Sequence, residues 1–349
     1  MGGLRRPATE SPRRGVGQHG PMVTSFRPWL DAWADSAYGE DGFWRVSRPE
    51  QHFRTASSTP LLATVLVDLL AEHPTIETVV ELGAGDGQLL AGLSALRPDL
   101  FLAGIDLRDR PDHLPARVAW SRDLWDVRST GWTTGSAEDR LGGLSGPALV
   151  LCIEWLDDLP CAIAARADGI LRLVEVDREG VERLGATPDA ESAAWAGRWS
   201  TWSPRVEIGL TRDQAWAAAC AQLGPHGGLA LLVDYGHLAD RRPARGSLSA
   251  YRRGRRLDPR PSPELNLTAA VAIDSVTEAG RTAGATTLLR ARQSEVVASS
   301  APVLPDDPLA DLVARSHRSA LRSGRVWGDQ WWLLQQVPPS EPDHARPLW

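Results

Sequence analysis

With 349 residues, 42% of them hydrophobic and 23% charged, the chain is long enough for one large α/β domain with insertions or for two domains. Its net charge of −6 gives no reason to expect a nucleic-acid partner, and its three cysteines, Cys152, Cys161 and Cys220, lack C-x-x-C spacing and nearby histidines, which excludes a disulfide scaffold and a metal site. No apolar run approaches the ~20 residues of a membrane span, and Met1 to Pro21 has no apolar signal core, so the expectation is a cytoplasmic protein.

Residues 1–25 mix arginine with Gly and Pro and read as a disordered tail. Residues 26–78 read as an N-terminal helical segment. Trp29, Leu30, Trp33, Ala34 and Ala37 recur at helical spacing up to Gly39, and Thr59-Pro60 opens a second helix that runs through Leu70 to His73-Pro74. Between the two helices, Phe53 to Thr59 is too polar for core and is placed to lie over a bound ligand.

From Val79 to Gln88 an apolar run ends in Glu81 and then three alternate glycines, Gly83, Gly85 and Gly87. The pattern predicts a buried parallel strand turning directly into a helix, Gln88 to Leu96, whose free N–H groups face a ligand. Glycine is needed where a side chain would hold the ligand off the backbone. A dinucleotide turn has G-x-G-x-x-G, whereas here the third glycine comes one residue early. The pattern E-x-G-x-G-x-G resembles the first motif of S-adenosylmethionine-dependent methyltransferases. A second strand, Phe101 to Ile105, ends in Asp106, where a carboxylate can accept from both ribose hydroxyls.

Further strands are expected at Arg117 to Trp120 and Ala148 to Ile153, giving the alternation of a Rossmann-like doubly wound sheet. After the latter comes the acid cluster Glu154, Asp157 and Asp158, where a ligand would enter such a sheet, although the two aspartates could equally cap the next element. Ile170 to Val176 reads as another strand. Trp195, Trp199 and Trp202 fall on one helical face within an insertion around 177–225 that covers the sheet. A helix from Thr211 to Leu223 and a buried strand from Gly228 to Val233 follow, the strand ending in Asp234. The arginine-dense stretch from Arg241 to Arg260 reads as a solvated loop, with a phosphate-binding patch as the alternative. Asn266 to Ala283 reads as loop and helix, Thr286 to Arg290 as a strand, Leu309 to Leu321 as an amphipathic helix and Val326 to Val337 as a closing strand. Residues 338–349 read as a second disordered tail. All 38 basic residues are arginine, a usage that suggests GC-rich bacterial coding.

Five separated stretches together resemble the MidA family of S-adenosylmethionine-dependent methyltransferases, whose mitochondrial members are arginine methyltransferases for complex I assembly. They are Phe53 to Thr59, Glu81 to Gly87, Glu154 to Pro160, Leu231 to Gly236, and Gly246 to Tyr251 running on to Asp258-Pro259 and Leu267-Thr268-Ala269. The resemblance implies a methyltransferase domain over 79–337 with S-adenosylmethionine as cofactor. It makes Gly83, Gly85 and Gly87 the cofactor loop, Glu81 its acidic neighbour and Asp106 the ribose-binding acid. Glu154 becomes the leading catalytic candidate, with Asp157 and Asp234 as partners, and the implied acceptor is an arginine in a protein. Ile153, Ala270 and Ala272 stand where the family commonly has Asn, His and Asp. Those apolar residues suit a small-molecule acceptor, and a cofactor-binding assembly protein without transfer activity is the third alternative.

Overall fold

The computed structural model describes residues 25–47, 60–299, 315–316, 318–323 and 328–340. Phe53 to Thr59, residues 1–24 and 341–349, and most of the predicted helix Leu309 to Leu321 lie outside these residues. The elements that position the site are, in chain order, α1 (Trp29–Tyr38), α2 (Pro60–Ala71), β1 (Thr78–Leu82), α3 (Gln88–Leu96), β2 (Phe101–Asp106), β3 (Ala119–Arg122) and α4 (Ser136–Gly142). They continue with β4 (Ala148–Ile153), β5 (Ala162–Ala167), β6 (Ile170–Val176), α5 (Ala190–Trp199), β7 (Arg205–Ile208), α6 (Leu210–Leu223), β8 (Gly228–Asp234), α7 (Ile273–Thr282), β9 (Thr286–Arg292) and β10 (Trp331–Val337).

The main sheet has seven strands in the order β9-β10-β8-β4-β1-β2-β3. The five from β8 to β3 pair in parallel, and β10 runs antiparallel to both its neighbours. Side chains alternate between the two faces with the period of a strand. Val80, Leu82, Val150, Cys152, Ala230 and Leu232 meet α6 and α7 on one side. Val79, Leu149, Leu151, Leu229, Leu231 and Val233 meet α2 and α3 on the other. Covered on both faces, these strands read as nearly continuous apolar runs, and for that reason they were legible. The strand order reverses between β1 and β4, so the crevice that ligands occupy in such sheets opens at the carboxyl ends of these two strands.

The structure departs from the expected alternation after β4. Strand β6 does not join the main sheet. It pairs antiparallel with β5 and with the two-residue strand Arg27–Pro28, while β7 pairs with the other side of β5. The reason lies in the Asp168-Gly169 turn, where both residues have positive φ, 50° and 78°. A two-residue turn of that kind closes an antiparallel hairpin, whereas a parallel crossover needs a dozen residues or more. The covering sheet therefore begins at Ala162 rather than near 177, and α1 belongs with it, packing Trp29 and Trp33 against Val174, Val176, Leu265 and Leu267.

Three smaller corrections follow. Strand β3 lies two residues beyond the expected Arg117 to Trp120. The tryptophan stripe breaks because α5 ends at Trp199: Trp195 is buried, but Trp202 sits in a turn and is 93% exposed. The closing strand begins at Trp331, five residues later than its apolar pattern suggested.

Helix α7 approaches β10 closely at Gly280, where an added Cβ would meet Gln335 Oε1 at 1.9 Å and Trp216 Nε1 at 2.7 Å. Those two atoms are bonded to each other, Trp216 donating to Gln335 over 2.7 Å, and Gln335 donates on to the Thr277 carbonyl. Gly280→Ala is expected to separate this buried pair and destabilise the fold by about 3 kcal/mol, read as a shift in the urea midpoint with an unchanged slope.

Candidate active site

At the end of β1 the chain turns through Gly83, Gly85 and Gly87 with φ of 67°, 61° and 70°. Amides of Gly83 and Ala84 donate to the Ile105 carbonyl, which ties the turn to β2. The three glycines serve different ends. A Cβ on Gly83 would strike the Trp155 ring at 2.4 Å and one on Gly87 would strike Leu114 at 2.8 Å, so these two are closed by the protein itself. Around Gly85 the nearest atom is Arg108 Nη2 at 3.6 Å, leaving room for a ligand against the backbone. The Gly85 amide donates to Asp106 Oδ2 over 2.8 Å, and Arg108 donates to Oδ1 from its amide and its Nε. Asp106 is thereby held beside the turn at the end of the neighbouring strand.

Glu81 is 2% exposed, and its Oε2 has no hydrogen-bond partner among the described residues. Burial, reinforced by the charge of Asp106, pushes its pKa up to about 8. A buried acceptor without a donor, next to open backbone at Gly85 and an acid at Asp106, fits a ligand bearing an ammonium group and a sugar. S-adenosylmethionine carries both.

Across the reversal point, β4 ends in Glu154, whose φ is 49°. For a residue with a side chain this conformation is disfavoured by roughly 1–2 kcal/mol and persists only where neighbours enforce it. Here the Glu154 amide donates to Val233 on β8, and Gln330 Nε2 donates to Glu154 Oε1 over 2.6 Å. The next residue, Trp155, lies on Gly83 and stacks on Trp132 at 6.1 Å, so the glycine turn and the acid segment share a wall.

Asp157 accepts from Thr268 Oγ1 over 2.7 Å on Oδ2, while its Oδ1 and the Oδ1 of Asp158 have no partner. Burial raises the pKa of both aspartates; for Asp158 the charges of Asp157 and Asp234 add to it. Asp234 was expected beside the acceptor, but it lies fully buried beneath the segment. Its Oδ2 accepts from the amides of Leu156 and Asp157, and its Oδ1 from that of Tyr235. With both oxygens engaged by main chain, Asp234 shapes the turn that presents Glu154 and Asp157.

The group that locks this region escaped the sequence reading. Arg212, on the first turn of α6, is 1% exposed and donates to four carbonyls: Leu159, Ala269, Ala270 and Asp157, at 3.0, 2.8, 3.3 and 3.0 Å. Nothing in the sequence separates it from the other arginines. Tyr38 of α1 adds a bond to the Asp158 carbonyl, and Gln330 reaches Glu154 from just before β10. A groove of about 830 Å³ lined by Glu278, Arg281, Thr286 and Arg290 opens at the amino end of β9, opposite the strand carboxyl ends, and takes no part in this site. Among the described residues no group of three or more His, Cys, Asp or Glu is arranged to hold a metal ion, and no helix is long and apolar enough to cross a membrane.

A profile of the family described as "Putative S-adenosyl-L-methionine-dependent methyltransferase" matches residues 95–291, more than half of the chain. The chain belongs to this family. It is thus a methyltransferase with S-adenosylmethionine as the methyl donor. Among solved structures it is similar to a COG1565 superfamily member from Burkholderia thailandensis bound to S-adenosyl-homocysteine. That likeness has 22% identity, covers 91% of this chain and 89% of the other, and has a TM-score of 0.69. A native structure of a COG1565 superfamily protein from the same organism is similar at 23% identity, over 91% of this chain and 88% of the other, with a TM-score of 0.66. Both likenesses bear on the fold, and they agree with the Rossmann-like sheet described above. No curated protein matches the chain.

Two measurements test the site's physical chemistry. Because the pKa of Glu81 is pushed up to about 8 in the fold and an ordinary glutamate titrates at 4.5, the fold holds a proton between those pH values that the unfolded chain has lost. Stability therefore falls as pH rises from 4.5 toward 8. Glu81→Gln should remove this slope and raise stability above pH 8 by about 3–5 kcal/mol in ligand-free protein. A bound ammonium favours the ionised form, so affinity for S-adenosylmethionine should rise with pH up to about 8 in the parent and not in Glu81→Gln; calorimetry in buffers of different ionisation heat reads the released proton. Arg212→Met should remove the guanidinium donor from the carbonyls of Leu159, Ala269 and Ala270, while the Asp157 carbonyl keeps the Ala269 amide, and cost about 3 kcal/mol in chemical denaturation.

Proposed function

We propose that this methyltransferase is a protein-arginine N-methyltransferase of the MidA type. The observation that carries the reading is the set of acceptor oxygens that follow β4: Glu154, and the Oδ1 atoms of Asp157 and Asp158, which have no partner among the described residues, on the segment whose Trp155 lies against the glycine turn at Gly83. A guanidinium is planar, always charged and rich in donors, and it needs several carboxylate oxygens to hold it in one orientation.

Bound S-adenosylmethionine supplies an electrophilic methyl group on a sulfonium. In this reading Asp106 and the Gly85 backbone hold its sugar, Glu81 faces its ammonium, and Gly83 and Gly87 set the path of the turn. Glu154 and Asp157 fix the acceptor nitrogen in line, which is most of what a direct displacement requires. The nitrogen loses a proton as it is methylated. Burial raises the pKa of Asp157, so once ionised it is a stronger base than a surface aspartate and suits that proton. The residues over 79–337 are proposed to act as one catalytic domain, with α1 and the covering sheet forming the acceptor side.

A small-molecule acceptor is favoured by one feature. Ala270 and Ala272 place short apolar side chains beside the Gly236–His237 strand that follows β8, where polar recognition groups would otherwise stand. Calorimetric titration with S-adenosylmethionine, followed by transfer of labelled methyl into a cell lysate, separates the readings. Asp106→Ala should weaken cofactor binding roughly a hundredfold, while Glu154→Ala should retain binding and lose transfer. Label in polypeptide, recovered as methylarginine, supports the first reading, and label confined to metabolites supports the second. Cofactor binding with no label in polypeptide or metabolite would leave the assembly-protein alternative.

A further inference from the structure

The Asp106 carboxylate has little left to offer a sugar. Its two oxygens present about four lone-pair positions. Oδ2 accepts from the Gly85 amide over 2.8 Å, and Oδ1 accepts from both the amide and the Nε of Arg108, over 3.0 and 3.2 Å. The protein itself thus takes three of those positions, and turning the carboxylate would break at least one of the bonds. The position that remains lies on Oδ2. A ribose brings two neighbouring hydroxyls to such a site, and Oδ2 has room for one of them.

Arg108 stands where the second hydroxyl needs a partner. A guanidinium carries its N–H donors in a fixed plane, and Arg108 spends Nε on Asp106 while its two Nη nitrogens meet no acceptor among the described residues. The side chain is 21% exposed and folded back toward the glycine turn, where Nη2 is the nearest atom, at 3.6 Å, to the position of a Cβ on Gly85. Gly85 is also the residue whose amide holds Oδ2. An acceptor and a donor therefore border the same open stretch of backbone. The bond from Nε to Oδ1 sets the plane of the guanidinium and with it the direction of the Nη donors. Neighbouring arginines are committed elsewhere: Arg110 donates to the carbonyls of Leu114 and Pro115, and Arg122 to that of Leu107 and to Asp109.

We infer that Arg108 is a second ribose-binding residue: one hydroxyl of the cofactor's sugar donates to Asp106 Oδ2, and the other accepts from an Arg108 Nη. The inference rests on the placement of the sugar at Asp106 proposed above, and it replaces a carboxylate that takes both hydroxyls with a mixed pair. The two hydroxyls are then recognised by opposite polarity, one as a donor and the other as an acceptor. Loss of each is felt by a different residue. Both bonds have a charged partner, which makes them the stronger kind of hydrogen bond.

The test is calorimetric titration of the full-length protein with S-adenosylhomocysteine, the demethylated product, and with the two monodeoxy analogues that each lack one ribose hydroxyl. The parent should bind either analogue about tenfold more weakly than S-adenosylhomocysteine. Arg108→Met should bind S-adenosylhomocysteine about tenfold more weakly than the parent does. It should no longer distinguish that ligand from one of the analogues, while still discriminating against the other. Arg108→Lys keeps a charge beside Asp106 but not the fork that serves two acceptors at once, and should lose the same discrimination. Circular dichroism and the unfolding midpoint should stay near the parent's, because among the described residues the substitution removes one side-chain bond. Unchanged affinity in Arg108→Met overturns the inference. So does a weakened variant that discriminates against both analogues or against neither, since the arginine would then act only by holding Asp106. Parent-like behaviour of Arg108→Lys overturns it as well. Asp106→Ala separates this result from the site itself: if it binds as tightly as the parent, the placement of the sugar fails, and if it weakens binding while Arg108→Met does not, the inference alone fails.

Discussion

The acid segment at the carboxyl end of the main sheet is held in place by a single buried guanidinium. Arg212 makes no ion pair among the described residues; it donates to four main-chain carbonyls and sits 5.6 Å from the face of Trp33. Burying an isolated cation is costly, and burying several carboxylates together is costly as well. Each arrangement offsets the other. Burial raises the pKa of Asp157 and Asp234, and the nearby charge of Arg212 acts in the opposite direction. The guanidinium also pins Asp157 and Leu159 after β4 to Ala269 and Ala270 before α7, reinforcing the direct bonds from Thr268 and Ala269 to Asp157.

Around that pin the crevice is composite. The main sheet contributes the glycine turn, Glu81 and Asp106, all beyond or at the ends of adjacent parallel strands. The covering sheet and α1 close the other side, with Tyr38 and Thr268 bonded to the 157–158 segment. Trp155 lies against Gly83 on one side and stacks on Trp132 on the other, on the main-sheet side of the crevice. The glycine turn and the acid segment both issue from the main sheet, and the covering sheet and α1 pack over the acid segment. A change in the covering sheet can alter the acceptor side without disturbing the turn.

The parts legible in the sequence are those fixed by local rules. The central strands announce themselves as apolar runs because both faces are covered, the α3 boundaries coincide with the expected Gln88 to Leu96, and the glycine turn has its own spacing. The covering sheet was obscured because β6 resembles a main-sheet strand in composition; its partners are set by the Asp168-Gly169 turn, a short signal outweighed by a longer pattern. Arg212 and Gln330 were illegible for a different reason. Each acts through contacts with residues more than fifty positions away, and no local spacing marks such a role. Asp234 was found as a residue but not as a function, since only coordinates show that backbone amides occupy its oxygens.

The position of β10 bears on how such a chain reaches its native state. This strand is made after all the other described strands, yet it lies between β8 and β9. A nascent chain that has emerged only as far as β9 has β8 with one open edge, and β9 with no neighbour in the sheet. The sheet cannot close from one side to the other as it leaves the ribosome. It must hold a vacant slot until the final segment inserts with both of its edges at once. Gln330 arrives with that segment, so its bond to the Glu154 carboxylate forms last, after the main-chain bond from Glu154 to Val233 that β8 already offers.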